Sequence, residues 1–348
     1  MNKKIWIVIV VVILLVAVAV AWTIGKKSKI VTPQKTEIVK ISDIKMLWPG
    51  ISADQKTIYY FSNAQEPAFF KLDVTTQEVS QISEALDTPD NVLWSPDFSK
   101  AILSVTYDKY VFEKYGSPYA NPGTADQTKT KWVYDFGNQK LAQLNSDITN
   151  LIWLDNDHLI YSFINGTQPS INKALFNDED RQVLANLENI FVESFISLND
   201  NQLFFIGTAD ETRNLYQYTL GEKEPTLKIK DVGDQALISS DNSKIILEQS
   251  INNKTILYWT MINNPELIDT SLSASIDLTC WLNQDQFITD VKNNGSDKFY
   301  VFDTTTNKSA IEIDLRKISV DKGNFQIIDN NLFFTSKDIL YRYELKNL

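Results

Sequence analysis

Seven imperfect copies of one pattern predict an all-β fold, a seven-bladed β-propeller of four-stranded antiparallel blades. The pattern is clearest at Trp94-Ser95-Pro96-Asp97-Phe98-Ser99-Lys100, which leads into the apolar run Ala101-Ile102-Leu103. An apolar anchor, a polar turn and a second apolar run describe one strand, a tight reversal and its antiparallel neighbour. Copies are anchored at Ile51, Trp94, Trp153, Ile196, Ile238, Trp281 and Ile327, with steps of 43, 59, 43, 42, 43 and 46 residues. A period of roughly 40 to 45 residues is that of a four-stranded blade. An aromatic share of 11%, concentrated in Tyr, Phe and Trp, suits half-buried strands.

The first forty residues stand outside the repeat. After the flank 1–4, the stretch 5–24 runs without a charge from Ile5 to Ile24. Twenty helical residues at about 1.5 Å each cover the roughly 30 Å hydrocarbon core of a bilayer. Trp6 and Trp22 fall where indole rings prefer the headgroup level. The expectation is a transmembrane signal-anchor helix with the folded part on the extracytoplasmic side. A cleaved signal peptide is the competing reading, given the small-x-small sequence Ala17-Val18-Ala19. Residues 25–35, with Pro33, read as a tether.

Residues 36–348 then form the propeller. In the first unit, Ile51-Ser52-Ala53-Asp54 closes one strand and Ile58 to Phe61 supplies the second. Ala68 to Asp73 gives the third and Glu78 to Ile82 the fourth. The sixth unit repeats this at Phe299 to Asp303 and Ser309 to Ile313; third strands are also expected at 131–135, 215–218, 256–259 and 339–343. The seventh unit supplies three strands only, around 325–328, 332–335 and 339–344. Residues 36–42, which alternate like a strand, are expected to close the ring as its fourth.

The Trp94-Ser95-Pro96-Asp97 motif and its following apolar strand resemble the repeat of TolB-like, WD-repeat-like bacterial propellers. They are also similar to the propeller half of dipeptidyl peptidase and prolyl oligopeptidase relatives. The glycine usual after the motif's Asp is replaced here by Phe98, Gln55 and Asn242. The resemblance covers about residues 44–348 and implies the fold. It does not imply peptidase activity, because these residues leave no stretch for an α/β-hydrolase domain.

Charge and composition narrow the chemistry. From residue 44 onward, 26 Lys and Arg stand against 42 Asp and Glu, a net charge of −16. Such a surface repels phosphate backbones, so nucleic acid is not an expected partner. His158 is the only histidine and Cys280 the only cysteine. His158 sits in a polar turn and reads as a turn residue, and Cys280 beside Trp281 reads as a structural thiol. No phosphate loop, nucleophile elbow or complete calcium loop is present, and the run Asn177 to Asp180 reads as a solvated loop. No cofactor, metal or catalytic residue is therefore assigned.

Two features point to binding instead. Four places before their anchors lie Asp90, Asp234 and Asp277, with Glu193 one place later in its unit. If first strands are innermost, as in the resembling propellers, these carboxylates gather at one mouth of the central channel. The long step of 59 residues locates an insertion between Val105 and Trp132 that carries Tyr110, Tyr115 and Tyr119. Exposed tyrosines on a long loop provide contact area at low entropic cost. The reading is a non-catalytic scaffold for a protein or peptide partner. The alternatives are a carbohydrate-active enzyme using the clustered carboxylates, and a sensor of a small ligand or metal.

Overall fold

In the computed structural model, the described residues are 38–345, apart from 65, 108–127, 166–167, 234, 252–253, 294–295, 316–317 and 322–324. The expected membrane helix and tether lie outside them, and among the described residues no helix is long and apolar enough to cross a membrane.

The first strand, β1 (Val39–Lys45), leads directly into blade one. That blade is β2 (Leu47–Ile51), β3 (Thr57–Ser62), β4 (Ala68–Asp73) and β5 (Val79–Gln81). Blade two is β6 (Asn91–Trp94), β7 (Lys100–Tyr107), β8 (Thr128–Asp135) and β9 (Lys140–Gln143). Blade three is β10 (Ile148–Trp153), β11 (His158–Asn165), β12 (Gln168–Leu175) and β13 (Gln182–Asn186). Blade four is β14 (Phe191–Asn199), β15 (Gln202–Ala209), β16 (Thr212–Thr219) and β17 (Thr226–Lys230). Blade five is β18 (Ala236–Ile238), β19 (Lys244–Ile251), β20 (Lys254–Met261) and β21 (Asn264–Asp269). Blade six follows a 3-10 turn, Ile276–Leu278, with β22 (Thr279–Trp281), β23 (Gln286–Asn293), β24 (Ser296–Asp303) and β25 (Lys308–Asp314). Blade seven is β26 (Gln326–Ile328), β27 (Asn331–Ser336) and β28 (Ile339–Glu344), with β1 hydrogen-bonded antiparallel to β28 as the outer strand.

First strands lie against one another around the axis, as β10 does on β14 and β14 on β18. Burial follows from that order. Second strands are packed on both faces and read as continuous apolar runs, such as Leu203-Phe204-Phe205-Ile206 in β15. Outer strands are mostly exposed, as in β5 and β21. The core is divided into seven apolar clusters, each joining two neighbouring blades. The ring closes on itself: Phe333 and Leu340 of blade seven pack with Ile58, Tyr60 and Leu72 of blade one, and with Ile41 and Met46.

The motif's turn is built by its polar residues. Ser95 Oγ donates to Asp97 Oδ1 at 2.9 Å and accepts the Lys100 amide at 2.9 Å. The same contacts recur for Ser239, Asp241 and Lys244, and for Ser52, Asp54 and Thr57. These turns require a left-handed residue after the Asp. Gln55, Phe98 and Asn242, which stand where a glycine is usual, hold φ of 58°, 60° and 57°. Such a conformation costs a non-glycine residue roughly 1–2 kcal/mol.

Each of the three offsets that cost with a contact to a neighbouring blade. Phe98 stacks on Tyr59 of blade one with ring centroids 4.8 Å apart and planes 2° from parallel. Gly50 makes room for it, since a Cβ there would meet the Phe98 ring at 2.5 Å. Gln55 donates to Ile328 O and the Asp329 carboxylate of blade seven, and Asn242 donates to Gln202 of blade four.

Anchor tryptophans bind blades two, three and six to the blade before each. Trp94, Trp153 and Trp281 donate their indole N–H to Trp48 O, Leu93 O and Leu237 O at 2.8, 3.2 and 3.2 Å.

Candidate functional site

Each blade has two ends, set by strand direction. The Ser-Asp turns lie at one, and the hairpins joining second to third strands at the other. First strands end at the turns, so they start at the hairpin end. Asp90, Glu193 and Asp277 all occupy such starts and therefore share one face, the hairpin face.

On that face they are spread out. They belong to blades two, four and six, so none sits beside another on neighbouring first strands. Among the described residues no group of three or more Asp, Glu, His or Cys could hold a metal ion. Asp90 is exposed, and its amide donates to Ser104 O at 2.8 Å. Asp277 is half-buried in the 3-10 turn, whose start is held by Glu248: its Oε2 accepts from the Ile276 amide at 2.8 Å and from Ser275 Oγ at 3.1 Å. Asp234 and the three tyrosines, Tyr110, Tyr115 and Tyr119, lie outside the described residues.

Glu193 has the richest surroundings. Its Oε2 lies 2.7 Å from Arg213 Nε, and its Oε1 accepts from the Thr208 hydroxyl. With Glu211 and Asp231 these residues line an open depression of about 500 Å³. Phe191, 44% exposed, pairs across the strands with Thr208, one of the lining residues. Arg213 escapes a reading of the sequence because only the β14–β15–β16 register brings it to Glu193. Directly opposed residues in a sheet are neighbours whatever their separation in the chain.

A second depression, of about 490 Å³, opens on the turn face between blades five and six, beside Asp241, Asp285 and Asp303. Two of its carboxylates are occupied by their own turns and the third by a lysine of the neighbouring blade. The Thr305 hydroxyl, with the Thr305 and Thr306 amides, holds Asp303 down to about 2. Asp241 accepts from Ser239 and Ser243, and Asp285 pairs with Lys244.

The remaining reactive groups are structural. His158 Nδ1 lies 2.9 Å from the Asp155 carboxylate within its own turn. Cys280 packs against the cluster between blades six and seven, and desolvation raises its thiol well above the ordinary cysteine value, which suppresses the thiolate. Asp178 of the acidic run is engaged by Arg181 at 2.9 Å and by the Tyr161 hydroxyl at 3.0 Å. Desolvation, with Asp178 beside it, pushes that phenol up to about 12.

The hairpin face is uneven in one respect. Hairpins of blades three to six close between Asn165 and Gln168, Ala209 and Thr212, Ile251 and Lys254, and Asn293 and Ser296, each over two intervening residues. In blade two the last pair is Tyr107 with Thr128, and the insertion 108–127 leaves from there.

The fold defines the chain as a seven-bladed β-propeller of four-stranded antiparallel blades. No protein-family model matches the sequence, and no curated protein matches it significantly. Among solved structures, an oligogalacturonate lyase in complex with manganese aligns with a TM-score of 0.56 at 11% identity, over 90% of this chain and 94% of that one. A prolyl endopeptidase aligns with a TM-score of 0.51 at 12% identity; 82% of this chain matches 45% of it, so the likeness spans under half of that enzyme. TolB from Acinetobacter baumannii aligns at 0.43 with 13% identity, over 86% of this chain and 84% of that one. At such identities the likeness is one of fold, on which unrelated functions are grafted.

Proposed function

We propose that this protein is a membrane-anchored, extracytoplasmic binding scaffold that docks a protein or peptide partner on its hairpin face, without catalysis of its own. The observation that carries the reading is the position of the insertion. Of the hairpins on this face, the one in blade two is extended by twenty residues, 108–127, and these include Tyr110, Tyr115 and Tyr119. Long loops on a rigid scaffold are where binding residues concentrate. The exposed Phe191 and the Glu193–Arg213 depression lie on the same face and offer both apolar and charged contacts.

The carbohydrate-active alternative needs two carboxylates roughly 5 to 10 Å apart, one of them free to act as acid or base. Asp90, Glu193 and Asp277 stand on alternate blades, and Glu193 is paired with Arg213. Binding is the better-supported role. Segment 5–24 would hold the scaffold at the bilayer and 25–35 would tether it; resistance to alkaline extraction tests the first, and protease access to the propeller in intact cells tests the orientation.

Alanine at Tyr110, Tyr115 and Tyr119 together is expected to weaken partner capture at least tenfold while leaving the melting temperature within about 1 °C. Unchanged capture would remove the insertion from the contact face.

A further inference from the structure

The strand that closes the ring differs from the other outer strands in how it is held. Outer strands such as β9 are joined to their neighbours by short turns: only 136–139 separate β8 from β9, which then make four consecutive pairs from Asp135–Lys140 to Trp132–Gln143. A strand so joined finds its register again after every local opening, because the loop to be closed is short. No turn connects β1 to β28, since nearly the whole ring lies between them in sequence. Their ladder is also interrupted, over more residues than the register shifts of β13, β17, β21 and β25. Val39 pairs with Arg342 and Lys40 with Tyr341, but the next pair is Lys45 with Ile339. Four residues, 41–44, therefore stand opposite Leu340 alone.

The two ends of β1 are fastened unequally. At its end, Met46 is fully buried and donates its amide to Asp338 O at 2.7 Å, and Lys45 lies 3.6 Å from the Asp338 carboxylate. At its beginning, Val39 is 40% exposed, and the Lys40 ammonium is paired with Asp43 of the same strand rather than with β28. Between these ends, Ile38, Ile41 and Ile44 lie across two apolar clusters. Ile38 packs on the cluster between blades six and seven, and Ile41 and Ile44 on the one between blades seven and one.

We infer that β1 is a releasable strap: residues 38–44 peel from β28 and the two clusters while Met46 stays seated as the hinge. Release uncovers the β28 edge and the apolar groove beneath the three isoleucines. The seam between blades seven and one is then the place where the ring opens.

Hydrogen–deuterium exchange on the full chain tests this. Amides of residues 39–44 should exchange at least tenfold faster than those of Lys140–Gln143 in β9, while the Met46 amide stays protected like the core. A Val39→Cys, Arg342→Cys pair, which replaces Cα partners across the ladder, should slow the 39–44 exchange to the β9 rate once oxidised. Equal exchange in β1 and β9 before cross-linking would overturn the inference. Fast exchange that persists in the cross-linked protein would overturn it as well.

Discussion

Lys100 extends from blade two to place Nζ 2.9 Å from Asp157 Oδ1 and 3.2 Å from Asn156 O in blade three. Lys244 repeats the contact toward Gln284 O and Asp285 between blades five and six. Both lysines are buried, and each follows its motif serine by five residues. Both acceptor carboxylates follow an anchor tryptophan by four, Trp153 and Trp281, whose indoles bind the same two junctions in the opposite direction. A Ser-x-Asp-x-x-Lys in one blade and a Trp-x-x-x-Asp in the next thus make a two-way clasp.

Removing the carboxylate leaves a buried ammonium held by Asn156 O, a long contact to Ser99 Oγ and the Phe176 ring, whereas removing the lysine leaves a carboxylate that is 61% exposed and stays hydrated. Asp157→Ala should therefore cost roughly 1–2 kcal/mol, discounted for that exposure, and Lys100→Met less. Denaturant unfolding of both variants checks the order, and the reverse order would mean that the lysine acts through packing.

Phe98 carries both a strained backbone and a stacking contact, which two substitutions separate. Phe98→Ala keeps the left-handed strain and loses the ring on Tyr59, while Phe98→Gly loses the ring but relieves the strain. The glycine variant should be the more stable of the two by about 1 kcal/mol, both falling below the parent. Melting curves that rank alanine above glycine would show that no strain is stored there.

Acid should weaken the fold through its turn carboxylates. Asp303 is held at about 2 by the Thr305 hydroxyl, and Asp97 and Asp241 are lowered by serine hydroxyls and amides despite a desolvation that opposes the shift. A carboxylate whose folded value is depressed contributes stability that is complete above its unfolded value, about 3.9, and is lost as pH falls through the folded one. Stability should decline between about pH 4 and pH 2, and Asp303→Asn should flatten part of that slope. An unchanged slope in the variant would place the acid sensitivity elsewhere.

Ring closure makes its own demand. Removing residues 1–35 should leave a cooperative melt, whereas removing residues through Lys45 takes away the outer strand of blade seven together with Ile41. That longer deletion should lower the calorimetric melting temperature substantially, and an unchanged melt would show that β1 adds nothing to the closed ring.

Much of this architecture is written locally. Trp94, Trp153 and Trp281 mark strand ends because an anchor, a polar turn and an apolar run are neighbours in the chain, and these are the last residues of β6, β10 and β22. The closing strand was expected at 36–42 and is found at Val39–Lys45. Its core contacts, the buried Ile41 and the half-buried Ile44, are three apart across an interrupted ladder, so a two-residue alternation cannot locate its bounds. The clasp between Lys100 and Asp157 and the pair of Glu193 with Arg213 were not legible. Each joins residues that only blade packing or hairpin register brings together.

The binding account rests on the insertion in blade two. The most direct test is in-cell cross-linking and affinity capture with the full chain, beside a version in which 108–127 is replaced by Asn-Gly to match the two-residue hairpins of blades three to seven. The account predicts one reproducible partner with the parent and its loss with the short hairpin, at an unchanged melting temperature. Equal recovery of that partner by both proteins would contradict it.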